Sequence, residues 1–520
     1  MRPLFSLLLA CAFALGGLPA AGHADENAAP ARAASSASPK APADPRIPTV
    51  ETAAHTEHSA SIGGRTFKYT ATAGTVIIRD DKDQPQASVF YVAYTLNGAD
   101  PSHRPVTFLY NGGPGSSSVW LHMGSFGPMR IETDSPQATA PPPYHLVANN
   151  DSLLDKTDLV FIDAVGTGYS RPLGKATGKD FWGVDQDLSA FSRAIQRYVT
   201  LNKRWNSPKF LYGESYGTTR SAALVDALQD KGMAFNGVIL MSSILNYGIR
   251  MPGYDESYIG YLPSFAAAAW YHEKIANKPA DLKSFVDQVR AWANGPYAAA
   301  LAQGQNLPAA QVDAIATQVA AYTGLSVPYI KETNLRVDPS RFRKELLRDQ
   351  RLTLGRYDSR FTGTDPDAAG EAPDYDASDA GISGAFVSAF HQYLESQLKY
   401  HSKLDYLPTY GEINKKWDWK HKAADMRRPL PLPYVAGDLA HAMRTNPGLK
   451  VLSVNGYYDF ATPFSITEYD LAHMNLDPSL RGNLSFLYYP SGHMIYLNTD
   501  ALKQLKGDLA HFYDHAAPTR

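Results

Sequence analysis

Beyond residue 60, the chain begins with short runs in which polar and apolar residues alternate. Residues 66–72, 74–79 and 87–96 alternate in this way or run apolar with many β-branched and aromatic side chains. Alternation with a period of two places successive side chains on opposite faces of a sheet, so these runs are predicted as strands. The polar run 80–85 separates the last two, and we expect the strands to pair antiparallel.

From residue 106 onwards, short apolar runs that end in turn residues alternate with stretches of helical periodicity. In 185–201 the apolar residues Leu188, Phe191, Ile195 and Val199 recur at helical spacing. Strands that alternate with helices indicate a mostly parallel α/β sheet. The predicted strands are 106–110, 158–162, 209–212, 237–241, 450–454 and 484–488, and further helices are predicted at 218–228 and 499–514.

Between residues 247 and 438 this alternation stops, and the sequence becomes helical and rich in loops. A helical block between two parts of one sheet is predicted to be a cap over the strand ends. The cap is inserted into a core made of 61–246 and 439–520. Its predicted helices are 263–275, 279–294, 309–322, 338–349 and 382–398, and 358–379 is predicted as an acidic loop.

The N-terminal segment 1–24 has the features of a secretory signal peptide. Arg2 is followed by an apolar run over 4–18 and then by small residues that suit cleavage. Residues 25–60 are rich in Ala, Pro and Ser and are predicted to be a flexible tail. No other apolar run is long enough to span a membrane, so we expect a secreted or periplasmic protein.

The composition excludes several classes of function. There are 49 Lys and Arg residues against 51 Asp and Glu, a net charge of −2, which argues against a nucleic-acid partner. Cys11 is the single cysteine and lies in the segment that we expect to be removed. The mature chain would then lack disulfides, cysteine nucleophiles and cysteine metal sites. No metal-binding or phosphate-binding motif stands out, so no metal and no cofactor are expected.

The sequence Gly213-Glu214-Ser215-Tyr216-Gly217 fits the pattern G-x-S-x-G. It follows a predicted strand and precedes a predicted helix, the context in which a sharp turn presents a nucleophilic serine above a sheet. An ordinary glycine-rich turn is the alternative interpretation. The context favours Ser215 as the nucleophile.

A serine nucleophile needs a general base and an acid that orients it. In sheets of this kind the chain order is serine, acid, histidine. Asp459 follows the predicted strand 450–454, and His493 follows the predicted strand 484–488. Because both occur in the required order, each after its strand, we predict Ser215, Asp459 and His493 as a catalytic triad.

The loop 111–118 follows the first strand of the parallel part and is rich in glycine. An oxyanion hole needs two backbone N–H donors, one from the residue after the nucleophile and one from such a loop. We predict Tyr216 and Gly113 as these donors. Glycines such as Gly112 let the backbone approach the substrate closely.

These motifs together resemble the signatures of the serine carboxypeptidase family. The resemblance implies an α/β-hydrolase fold with a helical insertion, secretion, and removal of C-terminal residues from peptides with a free C-terminus. It also implies that Asn111 and Glu214 bind the terminal carboxylate of the substrate. The similar segments are 111–118 (N-G-G-P-G-C-S-S in the family), 163–170 (D-x-P-x-G-x-G-[FY]-S), 213–217 (G-E-S-Y-[AG]-G), 455–459 (G-x-x-D) and 492–494 (G-H-M).

The sequence departs from the family pattern at three positions. Ser116 replaces the signature cysteine, Leu109 replaces a tryptophan, and Ser125 stands where a second carboxylate-binding glutamate is expected. The residues expected to bind the substrate carboxylate are therefore only partly present, because the second glutamate is missing. An esterase or acyltransferase that uses the same triad is the alternative function, and a non-catalytic binding protein of the cell envelope is a further one.

Overall fold

The computed structural model describes residues 44–424 and 426–517. The predicted signal peptide at 1–24 and Cys11 lie outside these residues. The predicted tail at 25–60 is wrong at its C-terminal end, because residues from Ala53 onwards form the first strand of the sheet. That strand alternates exposed and partly buried residues, and its small side chains pack against the neighbouring strand, which sequence composition alone did not indicate.

A single large sheet runs through the described part of the chain, in the spatial order β1-β2-β3-β5-β4-β6-β7-β8-β9. The pairs from β1 to β5 along this order are antiparallel, and those from β5 to β9 are parallel. The strands in this order, numbered along the chain, are β1 (Ala53–Ile62), β2 (Arg65–Arg79), β3 (Pro85–Leu96), β4 (Val106–Tyr110), β5 (Asp158–Ile162), β6 (Lys209–Ser215), β7 (Gly237–Ser243), β8 (Lys450–Gly456) and β9 (Leu484–Tyr489). The short strand Arg171–Pro172 also pairs with β3.

The two predicted strands 66–72 and 74–79 form one continuous strand, β2, which carries Gly74 in its interior. A Cβ atom at this glycine would lie 2.4 Å from the carbonyl oxygen of Thr52, so the glycine permits close approach of the chain that leads into β1. The remaining predicted strands lie where they were expected, with ends that shift by a few residues.

The helices of seven or more residues pack on the two faces of the sheet and within the inserted segment. They are α1 (Val184–Leu201), α2 (Tyr216–Gln229), α3 (Glu256–Tyr271), α4 (Leu282–Trp292), α5 (Ala309–Thr323), α6 (Pro339–Glu345), α7 (Ser383–Ser396), α8 (Ala436–Thr445), α9 (Phe464–Ala472) and α10 (Thr499–Ala516). Neighbouring strand residues alternate between two apolar clusters: Phe108 packs with α1, α2 and α8, whereas Leu109 packs with α7 and α10. The mostly parallel α/β sheet predicted from the sequence is thus confirmed, and helices pack on both of its faces.

The helical block between 247 and 438 packs in two ways. Helices α3 to α6 form an apolar cluster of their own, joined by Phe460 and Ile466. Helix α7 instead packs into the cluster on one face of the main sheet. The predicted acidic loop 358–379 is mostly irregular, but Asp358 is buried and forms an ion pair with Arg360.

The carboxyl ends of the parallel strands meet at one edge of the sheet, because parallel strands point the same way. Loops that leave this edge carry ligands in α/β proteins. The residues at this edge are Tyr110 at the end of β4, Ser215 at the end of β6, Ser243 at the end of β7, Gly456 at the end of β8 and Tyr489 at the end of β9.

Candidate active site

Ser215 is the last residue of β6 and immediately precedes α2. Its backbone has φ 62° and ψ −129°, a conformation that costs a serine energy and persists only where the surrounding chain enforces it. Close packing enforces it here, because a Cβ atom at Gly213 would lie 2.1 Å from the carbonyl oxygen of Gly217. The segment therefore has the geometry of a nucleophile elbow, and Ser215 lines an open cavity.

His493 and Asp459 form a buried hydrogen-bonded pair, with 2.7 Å between His493 Nδ1 and Asp459 Oδ2. Burial opposes a positive charge on His493, but the charge of Asp459 and its hydrogen bond outweigh burial and raise the pKa of the imidazole. His493 lines the same cavity as Ser215. A carboxylate on Nδ1 leaves Nε2 as the nitrogen that can exchange a proton with a serine hydroxyl.

Backbone and side-chain donors fix the carboxylate of Asp459. Its Oδ1 accepts hydrogen bonds from the N–H groups of Ala461, at 2.7 Å, and Thr462, at 3.0 Å. The hydroxyl of Thr462 donates to Oδ2 at 2.8 Å, the same oxygen that contacts His493. The sequence analysis missed Thr462. A threonine three residues after an aspartate is a signal for such local bonding, although a weak one.

The loop 111–118 packs against the start of α2. A Cβ atom at Gly112 would lie 2.5 Å from the backbone nitrogens of both Tyr216 and Gly217, so only glycine fits there. Gly112 and Gly113 line the cavity beside Ser215. The two predicted oxyanion donors, the N–H groups of Gly113 and Tyr216, thus belong to segments in direct contact.

Arg220 lies beneath this contact and is almost completely buried. Its guanidinium donates to Asp187 at 2.7 and 3.3 Å and to the carbonyl oxygen of Asn111 at 2.8 Å. It also lies 4.1 Å from the centre of the Phe191 ring. One side chain therefore ties helix α1, helix α2 and the glycine-rich loop together below the nucleophile.

Glu214 precedes the nucleophile and lines the cavity together with Asn111. Its side chain is buried, and Oε2 has no hydrogen-bond partner among the described residues. Burial raises the pKa of Glu214 to about 7, and the charge of Asp459 adds to this effect, while His493, Tyr496 and Asn111 oppose it. A carboxyl group that holds its proton up to near neutrality can donate a hydrogen bond to an anionic ligand.

Asn111 is fixed in a definite orientation. Its Oδ1 accepts a hydrogen bond of 2.8 Å from the N–H of Leu121, and this leaves the amide nitrogen as a donor. The structure thus brings the predicted residues Asn111, Gly112, Gly113 and Glu214 to one cavity, together with the serine and the histidine of the predicted triad.

The profile of the serine carboxypeptidase family matches residues 65–483, most of the chain. The chain belongs to the serine carboxypeptidase family. The matched range includes Ser215 and Asp459 and ends before His493.

The chain is similar to a carboxypeptidase of the yeast Saccharomyces cerevisiae both in sequence and in structure. The pheromone-processing carboxypeptidase KEX1 is 34% identical over 123 residues, which are 23% of this chain and 16% of KEX1. The crystal structure of Kex1(delta)p, a prohormone-processing carboxypeptidase, has a TM-score of 0.50 and 16% identity over 86% of this chain and 91% of that one. The second match supports the α/β-hydrolase fold. The sequence match spans about a sixth of the length of KEX1.

Ser125, which replaces the second glutamate of the family pattern, does not line the cavity of this family member. Its side chain is completely buried in the π-helical turn His122–Phe126, and its hydroxyl donates to the carbonyl oxygen of Leu121. Position 125 therefore contributes a helix contact instead of a ligand contact. Among the described residues that line the cavity, Glu214 is the glutamate beside the nucleophile.

One wall of the cavity comes from the inserted segment. It includes Tyr357, Asp379, Thr409, Tyr410 and Gly411. The ring of Tyr357 lies 5.1 Å from the imidazole ring of His493, centre to centre. The sequence analysis did not identify these residues, because they lie in loops and short helical turns that carry no motif.

Trp417 and Trp419 pack against the ring of Tyr216. Their ring centres lie 5.3 and 6.3 Å from that ring. They support the residue after the nucleophile and do not line the cavity. Within the ranges that the structure describes, no group of three or more His, Cys, Asp or Glu residues is arranged to hold a metal ion.

Proposed function

We propose that the chain is a serine carboxypeptidase that removes C-terminal residues from peptides through an acyl-enzyme. The observation that carries this proposal is the buried carboxyl of Glu214, directly beside the nucleophile elbow, with a pKa raised to about 7. A hydrolase that acts on neutral esters gains nothing from a protonated acid at this position. A carboxypeptidase needs a neutral donor there for the carboxylate of its substrate.

Ser215 attacks the last peptide bond in the proposed mechanism, and His493 accepts the hydroxyl proton on Nε2. Asp459 holds the imidazole and stabilises its positive charge. The N–H groups of Gly113 and Tyr216 donate hydrogen bonds to the oxyanion of the tetrahedral intermediate. Collapse of this intermediate breaks the C–N bond, and the leaving amine takes the proton from His493.

Water then attacks the acyl-enzyme, with His493 as the base again, and releases the shortened peptide. During acylation, until the C-terminal residue leaves, Asn111 and protonated Glu214 donate hydrogen bonds to its terminal carboxylate. This places the scissile bond at Ser215 and confines cleavage to the end of the chain. Glu214 also lies close enough to His493 for the charges of the two side chains to influence each other.

The remaining parts of the proposal concern the setting of the site. We propose that the segment 247–438 covers the strand ends as a cap, since it supplies Tyr357, Asp379 and Tyr410 to the cavity. We also propose that residues 1–24 act as a signal peptide and direct the protein to the periplasm or the exterior. The described residues contain no helix long and apolar enough to cross a bilayer. Sequencing the N-terminus of exported protein tests the cleavage.

An esterase or acyltransferase on the same triad is the second candidate. The observation that favours it is that position 125 has no carboxyl group. Ser125 stands there, and its hydroxyl donates a hydrogen bond to the backbone of its own helical turn. A non-catalytic binding protein is disfavoured because the 2.7 Å contact between His493 and Asp459 is suited to general base catalysis and has no evident role in binding alone.

Product analysis on an unblocked peptide distinguishes these functions. A carboxypeptidase shortens the peptide from the C-terminus one residue at a time, and the C-terminal amide of the same peptide resists. Equal hydrolysis of acid and amide would exclude carboxylate recognition and favour an esterase or amidase. Labelling of Ser215 by a fluorophosphonate separates all the enzymes from a binding protein, with Ser215→Ala as the control.

A further inference from the structure

Tyr496 is buried beside the proposed carboxylate site without lining the cavity, and the mechanism described above does not use it. It lies in the helical turn Ile495–Leu497, which follows His493 closely in the chain. We propose that Tyr496 is a positioning residue for Glu214. When a substrate binds, its hydroxyl donates a hydrogen bond to Oε2 of that carboxyl and so directs the acidic hydrogen toward the substrate. This inference rests on the carboxypeptidase function proposed above.

The Tyr496 hydroxyl interacts with two groups of the carboxylate site, the carboxyl of Glu214 and the side chain of Asn111. Both Tyr496 Oη and Glu214 Oε2 are buried, and neither has a hydrogen-bond partner of good geometry among the described residues. A buried polar atom without a partner costs free energy, so its presence in a folded protein points to a role. The two atoms are complementary, because a phenol donates and a carboxyl oxygen accepts. Hydrogen bonds in active sites often become well aligned only in the complex with substrate.

The Tyr496 ring packs against the π-helical turn His122–Phe126. A Cβ atom at Gly124 would lie 2.4 Å from Cε2 of this ring, so the glycine makes room for the tyrosine. The next residue of the same turn is Ser125, at the position where the family pattern has a second glutamate. Position 125 supplies no carboxyl to the site, and the neighbouring glycine admits a phenol that interacts with Glu214. The Tyr496 hydroxyl therefore takes the part of a second acid beside Glu214.

The other titratable groups that face Glu214 have partners of their own. His493 and Asp459 act on it through their charges, and they are hydrogen-bonded to each other. Tyr212 also interacts with Glu214, but its hydroxyl donates to a methionine sulfur at 3.4 Å. Burial and the charge of Glu214 raise the pKa of Tyr496 well above its usual value. The phenol of Tyr496 therefore keeps its hydrogen throughout the pH range in which Glu214 titrates.

A donor at Oε2 determines which oxygen of Glu214 carries the hydrogen. A neutral carboxyl has a single hydrogen, and either oxygen can hold it. When Oε2 accepts a hydrogen bond from Tyr496, the hydrogen lies on Oε1, which can then donate to the terminal carboxylate of the substrate. Asp459 acts in a similar way on His493, because it determines which ring nitrogen exchanges a proton with the serine.

Tyr496→Phe tests the inference, because it removes the hydroxyl and keeps the ring. We expect KM for a blocked dipeptide below pH 7 to rise about tenfold with kcat nearly unchanged, since one hydrogen bond to the binding group is lost. KM for a neutral ester should stay the same. The pH at which the peptide KM begins to rise should move upward, because the lost hydroxyl favours the ionised form of Glu214. Tyr513→Phe removes a buried hydroxyl that bonds to Thr107 at 2.8 Å, and this control should alter none of these values.

The outcomes separate this inference from the proposed function. If the wild-type protein hydrolyses a peptide and its C-terminal amide equally well, both proposals fail. If it prefers the acid and Tyr496→Phe keeps the wild-type KM and pH dependence, only the role of Tyr496 is wrong. Equal losses for peptide and ester with an unmoved pH profile would indicate a packing role and also overturn the inference. Should Tyr496→Phe not fold, Gly124→Ala displaces the ring instead. That variant is expected to raise KM for the peptide and not for the ester, and any other pattern contradicts the inference.

Discussion

The backbone N–H of His493 donates a hydrogen bond of 2.6 Å to the carbonyl oxygen of Tyr357. This bond joins the loop after the last strand of the sheet to the inserted segment. Ser242 holds the same residue from the other side, because its hydroxyl donates to the His493 carbonyl oxygen at 2.6 Å. The Asp358–Arg360 ion pair braces the segment, and Arg360 reaches the Pro490 carbonyl oxygen. The position of the proposed general base thus depends on the insertion.

Gly492→Ala tests this dependence. A Cβ atom at Gly492 would lie 2.4 Å from the Cβ of Asp358 and 2.5 Å from the Tyr357 carbonyl oxygen, so the loop must move away. We expect kcat to fall about 100-fold, since misplacement of a catalytic group by about 1 Å has effects of this size. Gly482→Ala is the control, because nothing lies within 4 Å of a Cβ atom there. Equal turnover in the two variants would contradict the coupling.

Removal of the proposed triad residues gives the second prediction. We expect Ser215→Ala and His493→Ala each to lower kcat by about 10³-fold or more, because triad members act as a unit. Asp459→Asn is expected to cost less than either. The measurement is kcat on a blocked dipeptide, with melting temperature to verify folding. Near-normal turnover of Ser215→Ala would disprove the assignment.

Thr462 provides the third prediction, as a positioning residue. Thr462→Val keeps the shape of the side chain and removes the hydroxyl that donates to Asp459 Oδ2. We expect kcat to fall about tenfold with little change in KM, because one hydrogen bond to a charged group is lost and the imidazole is less firmly oriented. Thr462→Ser restores the donor and should recover most of the rate. A loss of kcat in Thr462→Ser equal to that in Thr462→Val would argue for a packing role.

The sequence allowed prediction of those site residues whose place is set by local structure. Ser215 ends a strand, and Asp459 and His493 each follow one. Parallel strands bring their ends to one edge whatever lies between them in the chain. Tyr357 and Asp379 could not be predicted in this way. They reach the cavity through the fold of the inserted segment, and no periodic pattern in the sequence indicates how that segment folds.

Two further differences between the sequence-based predictions and the structure have local causes. The family pattern aligned position 125 with a ligand glutamate, but the π-helical turn His122–Phe126 places Ser125 against the helix backbone. The strand β1 was predicted as tail because its alternating residues are small or polar. Its pairing with β2 along its whole length supplies the backbone hydrogen bonds that fix it.

The buried pair of Arg220 and Asp187 yields a prediction about stability. Both side chains are almost completely buried, and removing one leaves the other charge without its partner. We expect Asp187→Ala to lower the free energy of unfolding by about 3–5 kcal/mol. Glu412→Ala breaks an exposed pair with Lys415 and is expected to leave the denaturation midpoint unchanged. The measurement is chemical denaturation of both variants, and equal midpoints would show that the buried pair adds no stability.

The pH dependence of peptide binding tests the role of Glu214. Its pKa is raised to about 7, so the carboxyl is protonated below that pH and donates a hydrogen bond to the terminal carboxylate. Above that pH it ionises and repels the substrate. KM for a blocked dipeptide should therefore be low in acid and rise above about pH 7, by at most about tenfold per pH unit because one proton is involved.

Two comparisons isolate this effect. Glu214→Gln keeps a hydrogen-bond donor and removes the titration, so its KM should be flat with pH. Neutral esters lack the terminal carboxylate, so their KM should lack the acid preference. Their kcat/KM should instead rise with pH as His493 loses its proton, and the raised pKa of His493 moves that rise to higher pH. Peptide binding weakens as Glu214 ionises, whereas the activity of His493 rises as it loses its proton, so kcat/KM for the peptide should pass through a maximum. If KM for the peptide rises above pH 7 in Glu214→Gln as it does in the wild type, a group other than Glu214 binds the terminal carboxylate.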